Sequence, residues 1–535
     1  MTGRVITYLT FILLAWTSTG LAAGASYDVR DFGARGDGVT NDRAAIQRAV
    51  DSCGRTGGTV AFPPGRYLTG SIDLVSNVEL RLDHGAVILG STRIDDYVAH
   101  TPAQASYNDL FLRYSLFYAE GKTNIAISGS GTIDGQGGAF TVTTRAKPAR
   151  YMNRPYVLRF VGCKDVTVTG VTLQNSAMWM QHYFACEGVV IRGIRVWNHA
   201  NQNNDMMDID GCRNVIIADC IGDTEDDAIT LKSTSPHVTE NVTITNCVVS
   251  SHCNAIKTGT ESTGGFRNIT ITNIVVKPSA NTKAIVGHPA GISGITLATV
   301  DGGVLERVSV SDCVIDGPKV PIFIRLGARG RKYAADAPAP GVGTVRDIVV
   351  RNITATAGGP IGCSVSGIPG HRVTSVHLSN IVIGFPGGGT LADAKRMPEE
   401  AVDQYPEGTH WGALPAYGLY IRHAEEVVVD NVVFTRQGSD ARPALVVADA
   451  SNITVGRFRA QGDPTAASLI RCQSASDVLI QGSSATSDVP VFLEADERCD
   501  RILLLANDLR RAARPVHPTG CSSVRLEGNA SHDGK

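Results

Sequence analysis

The stretch "RNVIIADCIGDTEDDAITLKSTSPHVTENVTITNCVVS" (residues 213–250) contains one apolar pattern twice, 27 residues apart. Val215, Ile217 and Cys220 of the first copy stand where Val242, Ile244 and Cys247 stand in the second. Polar residues alternate with the apolar ones, which is the period of a strand with one buried face. The same pattern recurs on both sides, among others as "GVVIRGIRVWN" (188–198), "RNITITNIVVK" (267–277), "ERVSVSDCVID" (306–316), "RDIVVRNITAT" (346–356), "EEVVVDNVVFT" (425–435) and "DRILLLANDLR" (500–510). Equivalent residues fall 26, 27 and 27 positions apart from Val189 to Ile269, and 26, 25, 24 and 22 apart from Val427 to Val524.

A strand-rich unit of 22 to 27 residues is too short for a propeller blade, and the leucine spacing of a leucine-rich repeat is absent. It suits one coil of a parallel β-helix, whose coils stack at the interstrand spacing of about 4.8 Å. A ladder of short polar residues supports this: Asp219, Asn246, Asn273, Asp312, Asn352, Asn380 and Asn431 occupy one position of the repeat. Asn and Asp tolerate the left-handed backbone of a sharp corner and can hydrogen-bond along a stack. The fold expected is all-β, a right-handed parallel β-helix with an N-terminal capping segment (26–70) containing a short helix from about Asn41, as N-cap, to Asp51. Residues 26–535 read as one continuous domain ending in terminal coils from about 480.

Residues 1–25 have the form of an export signal: Arg4, the apolar run Val5 to Trp16, then small residues to Ala23-Gly24-Ala25. That run is too short to span a membrane, and no later one is long enough. A secreted protein, extracellular or periplasmic, is expected. The formal net charge of −2 over 535 residues and the lack of a long basic run argue against nucleic acid as a partner. Of twelve cysteines, Cys220, Cys247 and Cys313 share a repeat slot with Ile274, Ile353 and Val432, so they read as buried core thiols. Pairing among Cys53, Cys163, Cys186, Cys472, Cys499 and Cys521 stays open. No Cys/His spacing suggests zinc, "DMMDIDG" (205–211) lacks the spacing of an EF-hand, and neither metal nor cofactor is expected.

Stacking the coils in register aligns Met207, Ile229 and Ile256 as one inward position. Two residues earlier stand Asp205, Asp227 and Asn254, and one residue later, facing outward, Asp208, Thr230 and Lys257. Asp205, Asp226 and Asp227 therefore converge at one corner of adjacent coils. Clustered carboxylates repel unless a proton is shared or a cation intervenes, a cost more often borne for function than for folding. Glycoside hydrolysis uses such a set: one carboxylic acid with a raised pKa protonates the leaving oxygen while an ionised one activates water.

Together "NND" (203–205), "DD" (226–227) and "IRLGARGR" (324–331), on a β-helix behind this cap, resemble glycoside hydrolase family 28, the polygalacturonase and rhamnogalacturonase group. The resemblance, across roughly residues 27–480, implies inverting hydrolysis of a pectic polysaccharide or oligosaccharide. Asp226 would be the general acid, Asp205 and Asp227 the bases that position water, and Arg325 a contact to substrate carboxylate or hydroxyls. Two motifs depart from the family: Gly327 stands where a lysine is expected, and "CNA" (253–255) puts Asn254 in a histidine slot. His252 and Lys257 are the candidate substitutes, and Arg329, Arg331 and Lys332 a local attraction for an acidic polymer. The insertions 277–300, 328–345 and 384–415 could close one end of a groove, which favours exo action; Trp411 and Tyr405 in the last are candidate sugar-stacking residues. A pectate-lyase-like β-eliminase and a non-catalytic carbohydrate-binding β-helix are the alternatives.

Overall fold

A computed structural model describes residues 25–531 except 105, 145, 147, 518–520 and 522. The expected export signal lies outside the described residues. The chain winds as a right-handed parallel β-helix, and the strand ladders are parallel throughout. Three ladders run along it. One contains Lys164–Thr169, Glu187–Arg192 and Arg213–Ala218; a second Thr172–Gln174, Arg195–Asn198 and Ile221–Thr224. The third, which carries the site, contains Gln181–Phe184, Met207–Asp210, Ile229–Ser233, Asn254–Ser262, Ser293–Thr299 and Val320–Leu326.

The register matches the repeat. Val189, Val215, Val242, Ile269 and Val308 pair in one buried column, and each such side chain taken from water contributes about 1.5–3 kcal/mol. Cys247, Ile274, Cys313, Ile353, Ile381 and Val432 form a second column, so the thiols are apolar fillers. All twelve cysteines are unpaired, and eleven are buried. The corner residues Asp219, Asn246, Asn273, Asp312, Asn352, Asn380 and Asn431 all have φ between 52° and 61°. Their amides bond along the stack, Asn246 to Asp219 at 3.2 Å, Asn380 to Asn352 at 3.1 Å and Asn431 to Asn380 at 2.8 Å.

The cap helix spans Arg43–Gly54 and turns Ala45, Ile46, Ala49, Val50 and Cys53 into the open end of the solenoid. It starts one residue later than expected, with Asp42 rather than Asn41 at the N-cap. The Asp42 carboxylate is occupied by the amides of Arg35 and Gly36, while Asn41 accepts from the Arg43 amide at 3.0 Å. Three long connections, following Phe266–Val276, Val320–Leu326 and Val373–Phe385, fall where insertions were expected, but the first is shorter than 277–300 because Ser293–Thr299 is a strand of the third ladder. The last contains the helix Leu391–Lys395, started by a Thr390/Asp393 capping box. No helix among the described residues is long and apolar enough to cross a membrane.

Candidate active site

Residues that are apart in sequence meet on the third ladder because coil stacking sets their register. Met207 pairs with Ile229 and Ile229 with Ile256, which brings Asp205, Asp227 and Asn254 to one edge of a cavity of about 390 Å³ that Asp226 also lines. Its other walls come from Tyr107 and Phe111, from Arg150 and Tyr151, from Trp179, from Val286 and Gly287, and from Tyr405 and Glu407. All three inserted loops thus contribute to the pocket, the second of them through Arg331.

Each carboxylate has a different setting. Asp227 accepts on both oxygens: Oδ1 from the Asn254 amide N–H at 3.1 Å and side chain at 2.6 Å, Oδ2 from the Lys257 ammonium at 2.7 Å. Asp226 is half-buried; its Oδ2 accepts from Asn203 at 3.3 Å and its Oδ1 from the Asp227 amide at 3.0 Å. Burial and the neighbouring Asp227 charge push the Asp226 carboxyl above the usual carboxylate range. Asp205 is buried, its Oδ1 has no hydrogen-bond partner, and burial followed by the charges of Asp208 and Asp226 pushes it well up. Asp208, fully buried below, is pushed well up by burial too, with Lys232 at 3.5 Å acting against the shift.

Lys257 is covered rather than solvated, because Tyr405 closes over it at 2.9 Å. Burial alone would lower its pKa, yet Asp227 and Tyr405 hold it well above the ordinary value. Burial pushes the Tyr405 hydroxyl up to about 12, so it stays a neutral partner.

The other expected contacts lie elsewhere. His252 is neither in the pocket nor on the surface: it is fully buried, with Nδ1 on Glu225 at 2.8 Å and Nε2 on the Asn281 carbonyl at 2.7 Å. Arg325 is also taken up. Its guanidinium donates to the carbonyls of Gly367 (2.8 Å), Glu400 (2.6 Å) and Ala401 (3.1 Å) and lies 4.9 Å over Trp411. It therefore ties down the inserted loop instead of facing substrate, and Trp411, buried with Phe323 and Leu414, is a core residue of that loop. The slot at Gly327 has no room for a lysine, since a Cβ there would come within 2.9 Å of Val300 and 3.2 Å of the Val402 carbonyl. Arg329 is paired with Asp301; of the expected basic group, Arg331 lines the pocket.

Sequence reasoning passed over Lys232, Arg150 and Glu261. Lys232 sits 4.6 Å over the Trp179 ring and 3.3 Å from Glu261, which also pairs with Arg331 at 2.7 Å. Arg150 donates to Gln202 and to Asn203, each at 3.1 Å, and so braces the residue that holds Asp226. Lys232 was legible as the next outward position after Thr230. Arg150 has no repeat position to mark it.

A parallel β-helix with clustered carboxylates under a cation-lined pocket on one wall defines the class of this site. The chain belongs to the glycosyl hydrolases family 28, whose sequence profile matches residues 85–402, more than half of its length. A probable polygalacturonase of Vitis vinifera is 34% identical over 213 residues, 38% of this chain and 43% of that protein. An exo-poly-α-D-galacturonosidase of Dickeya chrysanthemi is 26% identical over 259 residues, 40% of this chain and 43% of that protein. The chain thus spans less than half the length of these curated relatives. Among solved structures, an exopolygalacturonase of Thermotoga maritima superposes with a TM-score of 0.56 at 25% identity, over 68% of this chain and 87% of that one. A family 28 exopolygalacturonase of Yersinia enterocolitica shares the fold, with a TM-score of 0.61 at 21% identity over 80% and 78% of the two chains.

Proposed function

We propose that this protein is an exported hydrolase that cleaves α-linked galacturonate units from the end of a pectic chain, with inversion. The observation that carries the reading is the unequal setting of adjacent carboxylates in one walled pocket. Asp226, pushed upward by burial and by Asp227, holds a proton near the pocket and gives it to the glycosidic oxygen. Asp227 has donors on both oxygens and is the acceptor of the pair. It orients the attacking water together with the free Oδ1 of Asp205.

Arg331, Arg150 and Lys232 line the pocket and bring more positive charge than the Glu261 carboxylate between two of them offsets, which suits a uronate carboxylate better than a neutral sugar. Loop walls carrying Val286, Gly287, Tyr405 and Glu407 narrow the pocket to a chain end, and two relatives are named as exo-acting enzymes. The test is incubation of the protein from Ser26 onward with homogalacturonan, rhamnogalacturonan and their oligomers. New reducing ends in the form of monomer, without ultraviolet absorbance of unsaturated uronate, are expected, and Asp226→Asn should abolish them. Unsaturated product would instead establish the β-eliminase.

A further inference from the structure

Behind the pocket wall lies a second cluster that the reaction does not use. His199, Glu225 and His252 come from three successive coils, and their ligand atoms lie within 4.8 Å of one another. Glu225 and His252 are fully buried, and the His199 side chain is 4% exposed. Each histidine has its far nitrogen tied to an acceptor. His199 Nε2 lies 2.9 Å from Asp223 Oδ1, and His252 Nε2 lies 2.7 Å from the Asn281 carbonyl. A carbonyl can only accept, and ionised Asp223 likewise, so both Nε2 atoms carry a proton; in the neutral ring His199 Nδ1, which has no partner, keeps its lone pair, while His252 Nδ1 shares a proton with Glu225.

Those near nitrogens point at one carboxylate oxygen. His252 Nδ1 is 2.8 Å from Glu225 Oε2; His199 Nδ1 is 3.6 Å from the same atom and has no hydrogen-bond partner. A buried imidazole nitrogen without a partner is a cost that a protein rarely leaves standing. A histidine oriented by a carboxylate or a backbone carbonyl on its outer nitrogen is the usual setting of a metal ligand. The other oxygen of Glu225 accepts from the amides of Ile285 and Val286, and Asp223 Oδ2 from that of Ala280 at 2.8 Å. The cluster therefore grips the inserted loop whose Val286 and Gly287 line the pocket.

We propose that His199, Glu225 and His252 form a structural site for a zinc-type divalent cation that staples this loop to three coils of the solenoid. Two imidazoles and one carboxylate are a donor set zinc accepts. Binding displaces to solvent the proton held between His252 Nδ1 and Glu225 Oε2. The sequence gives no metal-type spacing because the three donors are brought together only by stacking.

The test starts from full-length protein stripped with chelator and titrated with Co2+ and then Zn2+. One equivalent of Co2+ is expected to bind with a visible absorption band that Zn2+ removes, and Zn2+ should raise the melting temperature. His199→Asn should lose the band and the shift while keeping its β-sheet circular dichroism. Asp223→Asn should weaken binding roughly 10- to 100-fold by freeing the His199 ring. No uptake by the wild type, undiminished uptake by His199→Asn, or a thiolate charge-transfer band assigning the metal to Asp226, Asp227 and Cys253 would each overturn the proposal.

Discussion

The ladder that contains Lys164–Thr169 and the one that carries the site are made of the same repeating coil, yet they use their outward faces in opposite ways. In residues 240–245, the part of the strand Thr239–Ser251 that lies in the first ladder, inward Val242 and Ile244 alternate with residues that are exposed or half-exposed. In Met207–Asp210 and Ile229–Ser233 every residue is buried, and the outward ones are Asp208, Asp210, Thr230 and Lys232. A face that alternates apolar with solvated side chains is stabilised by its core and tolerates change outside. A face with charges on the outside and loops over them holds desolvated groups that packing alone would not select. The difference separates the part of the solenoid that holds the fold from the part that carries the candidate site.

That contrast breaks if the carboxylates prove to hold the fold. Asp226→Asn should lower kcat about 10³-fold, with a melting temperature no lower than that of the wild type, as measured by initial rates and calorimetry. Lys257→Met asks more of the structure, because it strands Asp227 buried beside Asn254 without its cation. A loss of about 3 kcal/mol in denaturant unfolding is expected, together with activity.

Asp205→Asn sharpens the comparison through pH. The Asp205 carboxyl is raised above its ordinary value of 3.8 in the folded state, so the native chain binds the proton more tightly than the unfolded chain. The wild type should lose stability as pH rises from about 3.8 through the raised value. The variant lacks that loss, so it should match the wild type in acid and exceed it near neutrality, a difference that melting curves across pH will show. The smallest effect belongs to the solvated corner. Asn273→Ala forces a Cβ other than that of Asn into φ 56° and removes one ladder bond, for about 1 kcal/mol, and Asn273→Gly should recover the backbone part.

The two faces also differ in how far they can be read from the chain. Period-two alternation and the Asn ladder state the solvated corner directly, since each coil repeats the same local demand. A second ladder was equally present and went unread: Asn214, Asn241 and Asn268 bond in series at another positive-φ corner. The register that joins Asp205, Asp226 and Asp227 follows from the same arithmetic. What the arithmetic cannot give is which outward residues the inserted loops cover. Arg325 reads as a substrate contact until residues 400 and 401 fold over it, and His252 reads as a neighbour of the carboxylates until Glu225 and Asn281 hold it away. Loop placement depends on tertiary packing, not on the repeat, so of the cations of the pocket only Lys232, inside a strand, follows from the register, whereas Arg331 is marked only by the basic run on its loop.

The most direct measurement of the proposed chemistry is proton NMR of the first product released from an oligogalacturonate, recorded before mutarotation. Protonation by Asp226 with water delivered by Asp227 and Asp205 from the opposite side of the sugar predicts that the β-anomer of galacturonate appears first. An initial α-anomer would contradict that division of roles, and an unsaturated uronate would contradict hydrolysis itself.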